Sequence, residues 1–179
     1  MAPYGICGAI WYQAESNCGK GEDPRDYRHK QRALVQGWRQ AWNNENLPFF
    51  YVQLPQWKSY AWTYAREQQL QAMAVEGTGM AVTIDLDNAN DIHPPNKIDV
   101  GERLARWPLA KLYGKDIAFS GPLFREVKIL AGKVLVLFDH AEDELMAGRI
   151  EGIGKIIEDK SGVLHGFELA GKDGVWYRA

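Results

Sequence analysis

Cysteine is scarce: Cys7 and Cys18 are the only two in 179 residues, and with no CxxC pair and no histidine at zinc-ligand spacing they supply neither a disulfide scaffold nor a structural metal framework. Whether they pair is left open by an even count. Long apolar runs are missing too, the most continuous being stretches such as Val134 to Phe138, far short of the roughly 18 to 20 residues needed to cross a bilayer. Charge of one sign is absent: 21 basic side chains face 23 acidic ones, a formal net charge of −2, and no basic face advertises DNA or RNA as a partner. The amino terminus shows no basic region followed by an apolar stretch, so it does not read as a secretory signal, and the compartment stays open. No internal repeat or low-complexity tract occurs. What is left is a globular composition, 46% hydrophobic and 25% charged, at a length where folding buries roughly 70% of the unfolded chain's surface.

Aromatics are plentiful, with seven tryptophans, eight tyrosines and six phenylalanines, enough for a core and also suited to stacking sugar rings. The glycine-bounded run Gly5 to Tyr12 reads as a buried strand. From Pro24 to Trp42, Tyr27, Leu34, Trp38 and Ala41 recur with helical period behind a capping Asp23. Leu47 to Leu54 is a second strand, Ala65 to Glu76 a helix stopped by Gly77, and Gly79 to Ile84 a third strand. Asp99 opens a further helix, with Val100, Leu104 and Trp107 on one face and a kink expected at Pro108. Strand and helix alternate to about residue 120, which implies a mostly parallel sheet flanked by helices, an α/β fold with its site at the carboxyl ends of the strands. Beyond Gly121, short stretches at Val127–Leu130, Val134–Phe138, Ile153–Ile157 and Val163–Leu169, separated by turn signals, read as an antiparallel β appendage. The expected organisation is an α/β domain over 1–120 and a β-rich appendage over 121–179.

Two segments that follow strands concentrate chemistry. The first, Trp11-Tyr12-Gln13-Ala14-Glu15-Ser16-Asn17, sets an amide, a carboxylate, a hydroxyl and another amide within five positions. The second runs from Asp85 to Lys97 and holds the one histidine of four that is flanked by acids and by prolines. His93 suits a general base whose tautomer a carboxylate fixes, and Asp91, two residues away, is the nearest orienter, with Asp85 and Asp87 as alternatives. His29, His140 and His165 read as structural or solvated. A calcium loop is excluded because Ala89 and Asn90 stand where an oxygen donor and a glycine are required. A two-carboxylate glycosidase using Glu15 and Asp91 needs a separation that sequence does not supply.

Gly8 to Asn17, Leu47-Pro48-Phe49, Val52-Gln53-Leu54, Arg66-Glu67-Gln68, Gly79 to Asp85, Asp91 to Lys97, Gly101 to Ala105, Ser120-Gly121-Pro122 and Gly166 to Gly171 resemble, in order along the chain, the sialate O-acetylesterase family of the SGNH hydrolases. The resemblance implies an SGNH-hydrolase-like (flavodoxin-like) sheet and a serine esterase that removes O-acetyl groups from sialic acids or plant polysaccharides, without metal or organic cofactor. His93 then maps onto the base, Asp91 onto its partner, Gln13 onto an oxyanion donor, and Glu15 onto a neighbouring support. Members of the family are often secreted or periplasmic.

The chain departs from the family at two places. Ala14 replaces the usual glycine after the oxyanion glutamine, which strains the backbone if φ there is positive. The nucleophilic serine belongs to a motif well upstream of the Trp-Tyr-Gln segment, and only ten residues precede Trp11. Of the four serines, Ser59, Ser120 and Ser161 sit in loops or turns without a nucleophile elbow, and Ser16 alone stands beside the expected site as a substitute nucleophile. The reading therefore expects truncation at the front, a last hairpin arm, Asp173 to Ala179, without a return strand, and an exposed sheet edge prone to self-association. The alternative is a noncatalytic carbohydrate-binding or interaction protein on the same fold.

Overall fold

The computed structural model describes residues 4–86, 90–93, 95–142, 145–150 and 156–179. The chain divides into two compact units, Met1–Leu123 and Phe124–Ala179.

The first unit is built on a three-stranded parallel sheet in the order β1 (Ala9–Trp11), β2 (Phe49–Val52), β3 (Thr78–Ala81). Ala9, Ile10 and Trp11 lie opposite Phe49, Phe50 and Tyr51, and Phe49 to Val52 lie opposite Thr78 to Ala81. Every residue of β2 is buried, as expected of a central strand covered on both faces, and this is why its sequence is apolar without alternation. On one face Phe49 and Tyr51 join Ala9 and Met80 against Val35 of α1 (Tyr27–Ala41) and Ala72 of α2 (Ala61–Ala72). On the other, Trp107 of α3 (Lys97–Lys111) stacks on Phe50 at 6.3 Å and donates its indole N–H to the Met80 carbonyl at 3.0 Å.

The first helix starts as expected: Asp23 accepts from the Arg25 N–H at 3.0 Å, Pro24 follows, and a 3-10 turn, Pro24–Asp26, leads into α1. Its buried stripe is Tyr27, Gln31 and Val35, with Leu34 and Trp38 packed beside it. α2 begins four residues before the expected Ala65 and ends at Ala72, because burial of Trp62 and Ala65 recruits an aromatic turn of modest helix propensity. The chain then turns to Gly77, at φ +72°, whose carbonyl accepts from Phe49 N–H at 3.0 Å. β3 stops at Ala81, short of the expected Ile84. Its partner β2 ends at Val52, where the buried Gln69 side chain closes the ladder, accepting from Leu54 N–H and donating to the Val52 carbonyl. α3 is capped by Asn96, which accepts from Asp99 N–H at 3.1 Å, so Asp99 lies in the first turn and does not open the helix. The helix runs through Pro108 to Lys111.

In the second unit β4 (Leu123–Leu130) and β5 (Lys133–Asp139) form a two-stranded sheet around a turn with Gly132 at φ +74°. β6 (Gly148–Arg149) pairs antiparallel with β7 (Ile157–Glu158), and β8 (Glu168–Ala170) with β9 (Trp176–Arg178). Two expectations are corrected here. Val163 to Phe167 is not strand, and Trp176–Arg178, expected as an arm without a partner, is itself the return arm of β8. Residues 153–155 of the expected Ile153–Ile157 strand, together with Asp87 and Pro94 of the histidine segment, lie outside the described residues.

Candidate active site

Because β1, β2 and β3 are parallel and in register, the segments that follow them leave one edge of the sheet together. After β1 the chain enters a 3-10 turn, Glu15–Cys18. The Glu15 carboxylate turns back to accept from Ala14 N–H at 2.9 Å, and the Ala14 carbonyl accepts from Asn17 N–H at 3.0 Å. Ala14 has φ 164°, extended backbone open to any residue, so the strain expected of an alanine there does not arise. Its methyl group is fully buried in a cluster with Tyr27, Leu54, Trp62 and Ala65.

Gln13 is held through its side-chain nitrogen and its backbone carbonyl. Its Nε2 donates to Asn17 Oδ1 at 3.1 Å, while the Tyr27 hydroxyl donates to the Gln13 backbone carbonyl at 3.0 Å and approaches Oε1 at 3.5 Å. Ser16 is exposed, within the 3-10 turn, its backbone carbonyl accepting from Gly19 N–H.

After β3, Asp91 and His93 meet as the sequence suggested. Asp91 Oδ1 accepts the His93 backbone N–H at 2.9 Å and lies 3.5 Å from Nδ1, with the two side chains 60% and 81% exposed. A carboxylate beside Nδ1 leaves Nε2 to face outward, the arrangement a general base requires. Two contacts draw this segment to the first. Ile92 packs on the cluster that buries Ala14, and Lys97 Nζ sits 5.0 Å from the centre of the Tyr12 ring. Among the described residues no hydrogen bond joins His93 to Ser16, Gln13 or Glu15. Asp85, an alternative orienter, is committed elsewhere: Arg103 grips it with bonds of 2.6 and 2.8 Å and also donates to the Val82 carbonyl, fixing α3 to the segment after β3.

The loop after β2 and the helix α2 that follows it add residues to which the sequence assigns no role. Trp57 packs on the same cluster as Ile92, and the half-buried Arg66 donates to the Pro55 carbonyl at 3.2 Å. Burial lowers the Arg66 pKa. Cys18 lies between unlike charges: burial, with the Glu15 carboxylate, pushes its thiol up to about 11, while Arg66 pulls the other way. Cys18 and Cys7 are both free thiols. Helical period makes Tyr27 a core position of α1, and nothing in the spacing of residues 13 and 27 ties the two together. Arg66 carried a signal, a cation within a helix that directly follows a site-forming loop. A hollow of about 490 Å³ lined by Tyr4, Ile6, Trp42 and Leu47 lies apart from these residues, beside the segments that precede β1 and β2.

No curated protein sequence matches the chain at a significant level. A solved carbohydrate acetylesterase from Xanthomonas citri is similar to it, with 33% sequence identity and a TM-score of 0.80 over 98% of this chain. The chain spans 40% of the length of that relative. Residues 2–109, which hold the sheet, α1, α2, α3 as far as Leu109 and both site-forming segments, match the family model of the carbohydrate esterases described as sialic acid-specific acetylesterases. The chain belongs to that carbohydrate esterase family.

Proposed function

We propose that the chain acts in hydrolysing O-acetyl esters of sugars, of the sialate or acetyl-xylan type, by a serine and histidine mechanism. The observation that carries the reading is that the Asp91–His93 pair and the Gln13 amide, on loops after different strands, are drawn to one sheet edge by the shared packing of Ala14 and Ile92. In this mechanism His93 takes the proton of a serine hydroxyl as its oxygen attacks the acetyl carbonyl, then returns that proton to the departing sugar oxygen. Water then cleaves the acetyl-serine by the same route. Asp91 holds the imidazole and stabilises its charged form. Gln13 Nε2 donates to the carbonyl oxygen as it gains negative charge, and Glu15 supports the loop through Ala14 N–H. The residues in these roles need no metal or organic cofactor. Ser16 is the hydroxyl this chain offers beside the site, in the role of substitute nucleophile.

Acetate release from O-acetylated sialic acid and from acetylated xylan tests the assignment. Gln13→Ala is expected to lower kcat roughly 100- to 1,000-fold, the usual effect of removing one oxyanion donor. Undiminished turnover by Ser16→Ala excludes that serine as nucleophile.

The second reading is noncatalytic carbohydrate binding. It is favoured by the lack of a Ser16–His93 hydrogen bond and by the exposed Tyr60 and Tyr64, whose rings meet edge to face at 5.3 Å by the β2 loop. Sugar binding without acetate release would select it.

A further inference from the structure

An amide donates from its nitrogen end only, so an oxyanion-binding glutamine works in one of its two orientations. If the amide is reversed, its oxygen faces the growing negative charge and opposes the reaction. Some part of the protein must therefore fix both where the Gln13 amide sits and which way it faces.

We propose that Tyr27 and Asn17 are positioning residues for the Gln13 amide, Tyr27 anchoring its place and Asn17 its polarity, so that one Nε2–H is left for the acetyl carbonyl oxygen of the substrate. This rests on the esterase reading above. Tyr27 is 3% exposed, its ring packed with Ala14, Leu54, Trp62 and Ala65 at the start of α1, so the hydroxyl is delivered by a rigid element. It donates to the Gln13 backbone carbonyl at 3.0 Å and lies 3.5 Å from Oε1. Burial pushes its pKa up to about 12, so the hydroxyl stays protonated and donating where an ordinary tyrosine would begin to ionise.

Asn17 supplies direction. Its Oδ1 accepts from Gln13 Nε2 at 3.1 Å, and a reversed Gln13 would set Oε1 against that oxygen, lone pair to lone pair. Asn17 cannot itself reverse freely, because its Nδ2 donates to Glu22 Oε2 at 3.4 Å, and the same carboxylate oxygen is paired with Lys30. Donors thus point one way along the chain, from Gln13 to Asn17 to Glu22. One Nε2 hydrogen is used inside, and its twin has no partner among the described residues.

The test uses the full chain, with Tyr27→Phe and Asn17→Ala, and reads the Gln13 side-chain amide by 15N–1H NMR, its signals assigned by their loss in Gln13→Ala. In the wild type one amide proton should be shifted downfield and protected from exchange. In both variants the pair should move toward free-amide positions, with kcat falling roughly 10-fold or more and KM changing by less than twofold. Melting temperatures identify any variant that has lost its fold, and Tyr27→Phe keeps the packed ring. Unchanged amide signals in both variants overturn the positioning role, and moved signals with unchanged kcat overturn its link to catalysis. A wild type that releases no acetate defeats the esterase reading instead, while the amide signals still decide whether Tyr27 and Asn17 hold Gln13.

Discussion

Cys18 shows how one residue's chemistry follows from its neighbours. Its thiol is half-buried and donates to the Ala14 carbonyl at 3.6 Å, and burial, with the nearby charge of Glu15, pushes its pKa up to about 11. Because the thiolate is the nucleophile, Cys18 should react slowly with a disulfide reagent such as DTNB at pH 8, while the exposed Cys7 reacts fast. A time course with two phases of one thiol each, the fast one lost in Cys7→Ser, is the expected result; two equally fast thiols would contradict the placement of Cys18. Residue chemistry was partly legible beforehand. The spacing of Asp91 and His93 was enough to foresee their contact, since both ends of the bond lie within three residues. The Tyr27–Gln13 bond was not, because its partners are 14 residues apart and meet only once the helix folds back on the sheet.

Among the elements, β3 and α3 meet at a close approach of backbone to side chain. The Trp107 indole lies against Gly79, and a Cβ at Gly79 would overlap that ring, so the strand carries glycine because a helix tryptophan occupies the space. Gly79→Ala should cost about 1–3 kcal/mol by overpacking, measured by denaturant unfolding, and a Trp107→Phe background should reduce that cost through coupling of the two sites. Equal costs in both backgrounds would show that the strain lies elsewhere. Element types in the first unit were readable from period and propensity, and their ends were less so. α2 starts at Ala61 because tertiary burial of Trp62 outweighs propensity, and β3 stops at Ala81 because Gln69, distant in sequence, ends the partner strand. In the second unit Val163 to Phe167 has the composition of a strand, yet among the described residues only its last is paired backbone to backbone, the Phe167 carbonyl accepting from Ala179 N–H at 3.0 Å, and composition alone does not register which residues find a partner.

For the whole molecule, β1 is the exposed flank of the sheet. It pairs with β2 on one side and, among the described residues, with no strand on the other, and Ile10, on the face that α3 covers for β2, is 69% exposed. An unpaired edge with an uncovered aliphatic residue favours pairing with a second copy. Light scattering across a concentration series should show self-association that Ile10→Lys weakens; a monomer at every concentration, with or without the substitution, would contradict this. At this scale the parallel sheet, its helices and the family were all readable, because the motifs that carry them are long and occur in order along the chain. The proposal gives this chain sugar-acetate cleavage with His93 as base. Acetate released per second from an O-acetylated sugar by the wild type and by His93→Ala tests it most directly: a loss of roughly 100- to 10,000-fold in the variant is predicted, and equal rates for the two proteins would contradict it.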